Sequence, residues 1–519
     1  MRRKRLVLSA LVALAGMATG CATSGDAALG EESPTGTGSV GVGQGGAQDI
    51  GELRAIVAEG QVPAPETLEP LGFFAEHALD LPPADCGERV CVQPSLAVAP
   101  RFDGSNWTMA FVALNSAVDP ATEPRPDAHV VIAIEATDRT QAELAMLSAA
   151  VRELVIPLRT ADRVSVIEIG DRAELLGASL LSTDPALGAA IADVSGAITS
   201  TRAATYDGLA LAARTLDGWT GARRIVLLTS GRADAGVTDE SRVLALADAL
   251  GRDGVSLSVV GLGDSYQARL PSAIGDLGTG TYSFAESPEA LIEILRIEGR
   301  TALVPLAREF EMHVTASPGY RIGRVYGARS VVADAATATL RSPMLVLGQR
   351  EGSSDVEHGR RGGGGGIFVE LIADPTRGIA AGAPAFLVDA TFLEPATGVR
   401  RTLQREVVNA LAPGQNPDDM WPSFSDPERG KPFMMLNMYL ALRGVLDFYE
   451  AGDCARAIGV VDMMQLSVDG WQGRFDDPDI DADNDLLLDV RANVAAQCES
   501  SEPVEPVEPR SFGGGCMFI

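Results

Sequence analysis

The sequence predicts an α/β protein: a doubly wound, mainly parallel sheet, followed by an all-β sandwich-like domain and a small α-helical C-terminal domain. Two changes of texture carry this expectation. From 128 to 300, short apolar runs alternate with longer amphipathic segments, the pattern of parallel strands joined by helical crossovers. Past 303 the hydrophobic period becomes two with no helical segment between runs, and past 430 it lengthens again to that of a helix. A chain of 519 residues exceeds what one core supports. The shifts divide it into an export signal (1–20), a linker (21–51), a helical and β segment (52–126), the α/β domain (127–300), the β-rich domain (303–408), the helical domain (430–498) and a tail expected to be disordered (499–519).

Taken in order, "MRRKR" is a basic start and "LVLSALVALAGMATG" an apolar run too short to span a bilayer, the composition of an export signal. Residues 22–48, rich in Gly, Ser, Thr and Ala, read as a flexible tether. Residues 52–81 read as helix, Pro-rich turn and helix, and "VQPSLAVAP" and "NWTMAFVALNS" as strands. "HVVIAIE" opens the alternating region. Leu144, Leu147, Val151 and Leu154 then mark one helical face, stopped by Pro157. Strands "RVSVIEIG", "AELLGASL", "RRIVLLT", "VSLSVVGLG" and "GTYSFA" come next, with helices capped near 182–184 and placed at about 205–217, 239–251, 266–276 and 287–298. Six period-two strands run from "REFEMHVTAS" to "VRRTLQREVV". "GRRGGGGG" at 359–366 lies between two of them and, continuing into strand rather than helix, reads as a hairpin rather than a phosphate loop. Residues 433–498 form an antiparallel helical set with a Met stripe for core filling. "DDPDIDADND" lacks the Gly and Glu of a calcium loop and reads as an acidic helix N-terminus.

Composition excludes some partners. Hydrophobic content of 46% and charged content of 22% are globular values, and a net charge of -28 opposes nucleic acid and anionic lipid headgroups. Six cysteines suit an oxidising compartment. The natural pairs are Cys86 with Cys91 and Cys454 with Cys498, leaving Cys516, and no His lies near enough to make a zinc pattern.

"ATGC", ending at Cys21, resembles a bacterial lipobox, with Ala18 where Leu is usual. The resemblance implies cleavage before Cys21, diacylation of its thiol and, because Ala22 comes next rather than Asp, an outer-membrane lipoprotein. Residues 128–300 resemble the von Willebrand factor A (VWA) domain, a Rossmann-like fold. "RTADRVSVIEIG" looks like its second-strand segment, "RRIVLLTSGRADAGVTDESRVLALADALGRDGVSLSVVGLGD" like its fourth-strand to fifth-strand block, and "LPSAIGDLGTGTYSFAES" like the segment after that block. The order of segments from about 52 to 498 is similar to that of bacterial VWA proteins that are often lipoproteins.

The resemblance implies a metal-ion-dependent adhesion site at the sheet's carboxyl edge: D-x-S-x-S after the first strand, a Thr before a Gly-Leu helix, and an Asp after the fourth strand. Magnesium needs hard oxygen ligands in near-octahedral order at about 2.1 Å. In this chain "EATDR" puts Glu135, Thr137 and Arg139 at the motif positions, Ala203 at the Thr position and Ser230 at the Asp position. Arg139 donates only and cannot ligate a cation. A degenerate site is therefore expected, with no metal and no cofactor. Arg139 is expected to supply the missing positive charge, pairing with Glu135 or Asp138 and able to meet a partner's carboxylate.

No catalytic constellation is legible. Histidines 77, 129, 313 and 358 are scattered, and Ser230 lies in "LTSGR", without the glycines of a nucleophile elbow. The expectation is a non-enzymatic, lipid-anchored envelope protein whose VWA domain binds another envelope protein or polymer, with no nucleic-acid partner. The alternatives are an inert envelope scaffold and, below it, a hydrolase.

Overall fold

The computed structural model describes residues 40–44, 50–348, 366–409 and 427–499, except 78, 80, 121, 138, 195–199, 264, 265, 278, 302, 375 and 378. The expectations for the export signal, Cys21, Asp138, the glycine run before Gly366, the C-terminal tail and Cys516 lie outside them.

Ahead of the α/β unit the chain forms β1 (Val40–Gln44), α1 (Gly51–Ala58), α2 (Pro70–Ala75), β2 (Cys91–Pro100) and β3 (Asn106–Ser116). The α/β unit then runs β4 (Ala128–Glu135), α3 (Gln141–Val155), β5 (Arg163–Ile169), β6 (Ala173–Leu181), α4 (Pro185–Asp193), α5 (Thr205–Leu216), β7 (Ala222–Thr229), α6 (Glu240–Arg252), β8 (Val255–Leu262), α7 (Arg269–Gly275), β9 (Tyr282–Ala285) and α8 (Pro288–Thr301). Its six strands lie in the order β6-β5-β4-β7-β8-β9, parallel except for β6 at one edge. Alternate side chains feed two cores. Val130, Ile132 and Ile134 of β4 face α3, α4 and α8, while Val131 and Ala133 face α5, α6 and α7. This is the doubly wound arrangement expected from the sequence, and its central strand β4 is buried along its whole length.

The remaining strands are β10 (Pro305–Ala316), β11 (Tyr320–Tyr326), β12 (Ser330–Ala333), β13 (Thr337–Leu347), β14 (Gly366–Ala373), β15 (Pro384–Leu393) and β16 (Arg400–Val408). They do not form a self-contained domain at 303–408, and the boundary with 52–126 is corrected accordingly. β14 pairs with β3, and β1 pairs with both β3 and β13, so strands from before and after the α/β unit make one sandwich core. The α/β unit is thus inserted between β3 and β10. β1 also corrects the tether expected to run through 22–48. "VGVGQ" has linker composition, but its backbone is fixed by strands on two sides and Val42 is fully buried. β3 is apolar on both faces for a reason: Ala110, Val112 and Leu114 face the sandwich, while Met109, Phe111 and Ala113 face helices.

Those helices are α9 (Pro427–Glu450), α10 (Cys454–Gln472) and α11 (Pro478–Cys498), packed with α1 and α2 around Met434, Met435 and Met438. Cys454 bonds to Cys498, closing α10 onto α11, and Cys86 bonds to Cys91. The acidic stretch does cap α11, where Asp477 accepts from the Asp479 backbone N–H at 3.3 Å. It also does more: Asp479 and Asp483 are buried and reach Lys431 of α9 (Nζ to Asp479, 2.6 Å) and His77 (2.8 Å). Among the described residues no helix is long and apolar enough to cross a membrane.

Candidate functional site

The carboxyl edge of the parallel sheet carries a buried polar cluster. Register puts it there. Ile134 of β4 pairs with Leu228 of β7, so the next residues, Glu135 and Thr229, stand side by side where the two strands end. Glu135 is 1% exposed. Its carboxylate accepts from Thr229 Oγ1 at 2.6 Å and the Ser230 backbone N–H at 2.8 Å on Oε2, and from Thr137 Oγ1 at 2.7 Å and Ser230 Oγ on Oε1. Four donors on one carboxylate meet most of its accepting capacity.

A guanidinium completes the cluster. Arg232 donates from Nη2 to Thr137 Oγ1 at 3.0 Å and from Nε to Ser230 Oγ at 3.3 Å, with Nε 4.0 Å from Glu135 Oε1. Thr137 and Ser230 therefore accept from the cation and donate to the anion, so their dipoles align between the two charges. Gly231 permits the turn that brings Arg232 back: its φ is +85°, and a Cβ there would meet the Gln267 carbonyl at 1.9 Å. Thr205 Oγ1 pins the Arg232 carbonyl at 2.5 Å.

Glu135, Thr137 and Ser230 thus come together as the sequence implied, and Ala203 and Arg139 do not join them. Ala203 is fully buried, and only its backbone is engaged, donating to Asp234 Oδ1 at 2.6 Å. Arg139 does not pair with the Glu135 carboxylate. Its Nε and Nη2 lie 3.4 and 3.5 Å from the backbone carbonyls of Glu135 and Leu262, and the side chain turns to the α3 and α8 face of the sheet. There it lines a cavity of about 220 Å³ with Glu59, Glu143, Glu286, Leu147, Phe284 and Leu291. Glu143 is held below the usual carboxylate range by the Thr140 hydroxyl and backbone N–H. The arginine beside Glu135 is therefore Arg232, three residues beyond β7. Sequence reasoning passed over it because "TSGR" matches no ligand motif. The charge had been assigned to Arg139, the arginine nearer in sequence, and the usable signal was the second arginine just beyond the neighbouring strand end.

The cluster does not fit a divalent ion. Two of the five positions, Ala203 and Arg139, offer no side-chain oxygen, the Glu135 oxygens are saturated by protein donors, and a guanidinium stands 4.0 Å away.

No family model matches the chain. YfbK, an uncharacterised protein of Escherichia coli (strain K12), is 24% identical over 214 residues, 39% of this chain and 36% of that protein, so the match spans about a third of the relative's length. Among solved structures, a von Willebrand factor type A protein from Catenulispora acidiphila aligns with 15% identity and a TM-score of 0.46, over 74% of this chain and 88% of that one. The ArnB paralog VWA2 from Sulfolobus acidocaldarius aligns with 14% identity and a TM-score of 0.39, over 78% and 97%. The conserved hypothetical protein BatB from Bacteroides thetaiotaomicron aligns with 19% identity and a TM-score of 0.27, over 33% and 96%.

Proposed function

We propose that this chain is an envelope interaction protein, anchored through a lipidated Cys21, whose VWA-like unit binds a protein or polymer partner at the carboxyl edge of its sheet without metal. One observation carries the reading. The edge holds a polar cluster whose carboxylate is satisfied from within the protein, leaving neither the open coordination of a metal site nor a nucleophile and base in catalytic arrangement. The cavity beside it offers a partner both apolar and charged contacts: Leu147, Phe284 and Leu291 form its walls, and Arg139, Glu59 and Glu286 its polar groups. At about 220 Å³ it is smaller than the roughly 300–1,000 Å³ of drug-sized ligand sites and suits a single inserted side chain.

The test is capture of a stoichiometric partner from solubilised membranes by the tagged full-length protein. Capture should persist in chelator and weaken in Arg139→Ala, with thermal stability unchanged. Loss of capture in chelator, or turnover of ester or peptide substrates by the purified chain, would overturn the reading.

A further inference from the structure

The misfit between the edge cluster and a divalent ion has a specific cause. A carboxylate 1% exposed needs compensating charge as well as hydrogen bonds, because desolvation penalises an ion left unpaired. The guanidinium that meets this need is attached to the loop after β7. It reaches Glu135 partly through space, at 4.0 Å, and partly through the Thr137 and Ser230 hydroxyls, each of which touches both charges. Glu135, Thr137 and Ser230 each face Arg232, while Thr229 Oγ1 is committed to Glu135 and the Gly231 backbone N–H.

We propose that Arg232 is a tethered cation, a covalently attached charge standing where a divalent ion would otherwise be needed beside Glu135, so that the edge keeps its charge balance without metal. The arrangement makes the edge insensitive to metal supply, since an intramolecular cation is present at fixed effective concentration and a chelator cannot remove it. Arg139, with its own carbonyl contacts and cavity, plays no part in it. This deepens the metal-free reading above, and its test needs no partner, so failure to find a partner and failure of this inference are separable.

The experiment is a thermal melt and a calorimetric titration of the purified full-length chain in chelator, in millimolar Mg2+ and in millimolar Mn2+. The wild type should show no heat and no shift. Arg232→Met, which keeps the aliphatic stem and removes the charge, should melt lower by on the order of 5–10 °C, in chelator and in Mn2+ alike. Arg232→Lys should fall less. A neutral pair, Glu135→Gln with Arg232→Met, should melt closer to wild type than Arg232→Met alone. If Arg232→Met does not fold, the same substitution in the Glu135→Gln background carries the test, since there it should cost little. Wild-type protein that binds Mn2+ would overturn the inference, as would Arg232→Met that melts like wild type or that Mn2+ restores, or a double variant no better than the single.

Discussion

Raising the pH should loosen α2 from α11, because His77 is held as an imidazolium. The ring is 1% exposed, and both nitrogens face groups that only accept: Nδ1 lies 2.9 Å from the Phe73 carbonyl and Nε2 lies 2.8 Å from Asp483 Oδ2. Only the doubly protonated ring donates to both. Burial draws the imidazolium down, but Asp483, with Asp479 behind it on α11, outweighs burial and the opposing Lys431 of α9, and holds His77 above its ordinary value. Arg54 of α1, paired with Glu76, also feels the Asp483 charge. Since the folded pKa is raised, the pair's contribution is complete below about pH 6.5 and is lost as pH rises through the folded value. Asp483→Asn removes one partner of a buried pair, which costs about 3–5 kcal/mol while His77 is charged. Once the ring is neutral the loss reduces to about 1 kcal/mol, that of an ordinary hydrogen bond. Calorimetric melts of wild type and Asp483→Asn at pH 6 and pH 9 measure the difference, with His77 ring proton shifts giving its titration. Equal losses at both pH values, or a ring titrating below 6.5, would refute the reasoning. Glu69, the N-cap of the same helix, acts in the same direction: burial pushes it up to about 7, so its ionisation costs stability as pH rises from 4.5 to that value.

Acid should release the entry to β4. Burial tends to raise Asp162, but Arg125, at 2.5 and 2.8 Å, and the backbone N–H groups of Ala128 and Arg159 outweigh it and hold the carboxyl below its ordinary 3.8, so its contribution disappears as pH falls through the folded value; proteolysis at residues 117–127 should rise below about pH 4 in wild type and already at neutral pH in Asp162→Ala. Gly208→Ala should destabilise the α/β unit by about 1–3 kcal/mol in denaturant melts, because its Cβ would stand 2.4 Å from Cδ1 and 2.7 Å from Cγ1 of Ile169, which is fully buried. Glu298→Ala should cost about 3–5 kcal/mol in the same assay, since it strands Arg224, 3% exposed and clamped by Ser256 and Ser258. Replacing Cys454 by Ser opens a link spanning a sequence separation of 44 and should cost about 4 kcal/mol on the loop-entropy estimate, read as a lower melting temperature and a smaller further drop on adding reducing agent than wild type shows, the remainder belonging to Cys86–Cys91.

The α/β unit was legible because its information is local. Strand residues alternate between two apolar faces, helices carry one stripe each, and α3 begins with the Thr140 and Glu143 capping box. Glu135, Thr137 and Ser230 were placed at the sheet edge by the same logic, because strand ends fix where the next residues must lie. Three things were not legible. β1 has the composition of a linker and becomes a strand only because β3 and β13 present backbone to it. The insertion of the α/β unit depends on β3 pairing with β14, and pairing partners distant in the chain leave no periodic trace. The cation beside Glu135 depends on a turn at Gly231 that aims Arg232 inward while Arg139, nearer in sequence, points to the other face.

The sequence by itself determined most of the strands and helices, which faces they bury, and which residues stand at the strand ends of the sheet's carboxyl edge. Each of these stems from side-chain type and spacing within one element. Only the tertiary structure decided which strands share a sheet, which acids of the α11 N-terminus are buried against His77 and Lys431, and which arginine balances Glu135. Those outcomes turn on charges and backbone groups that meet across long stretches of chain, where a few ångströms of distance, invisible in sequence, decide which pair forms.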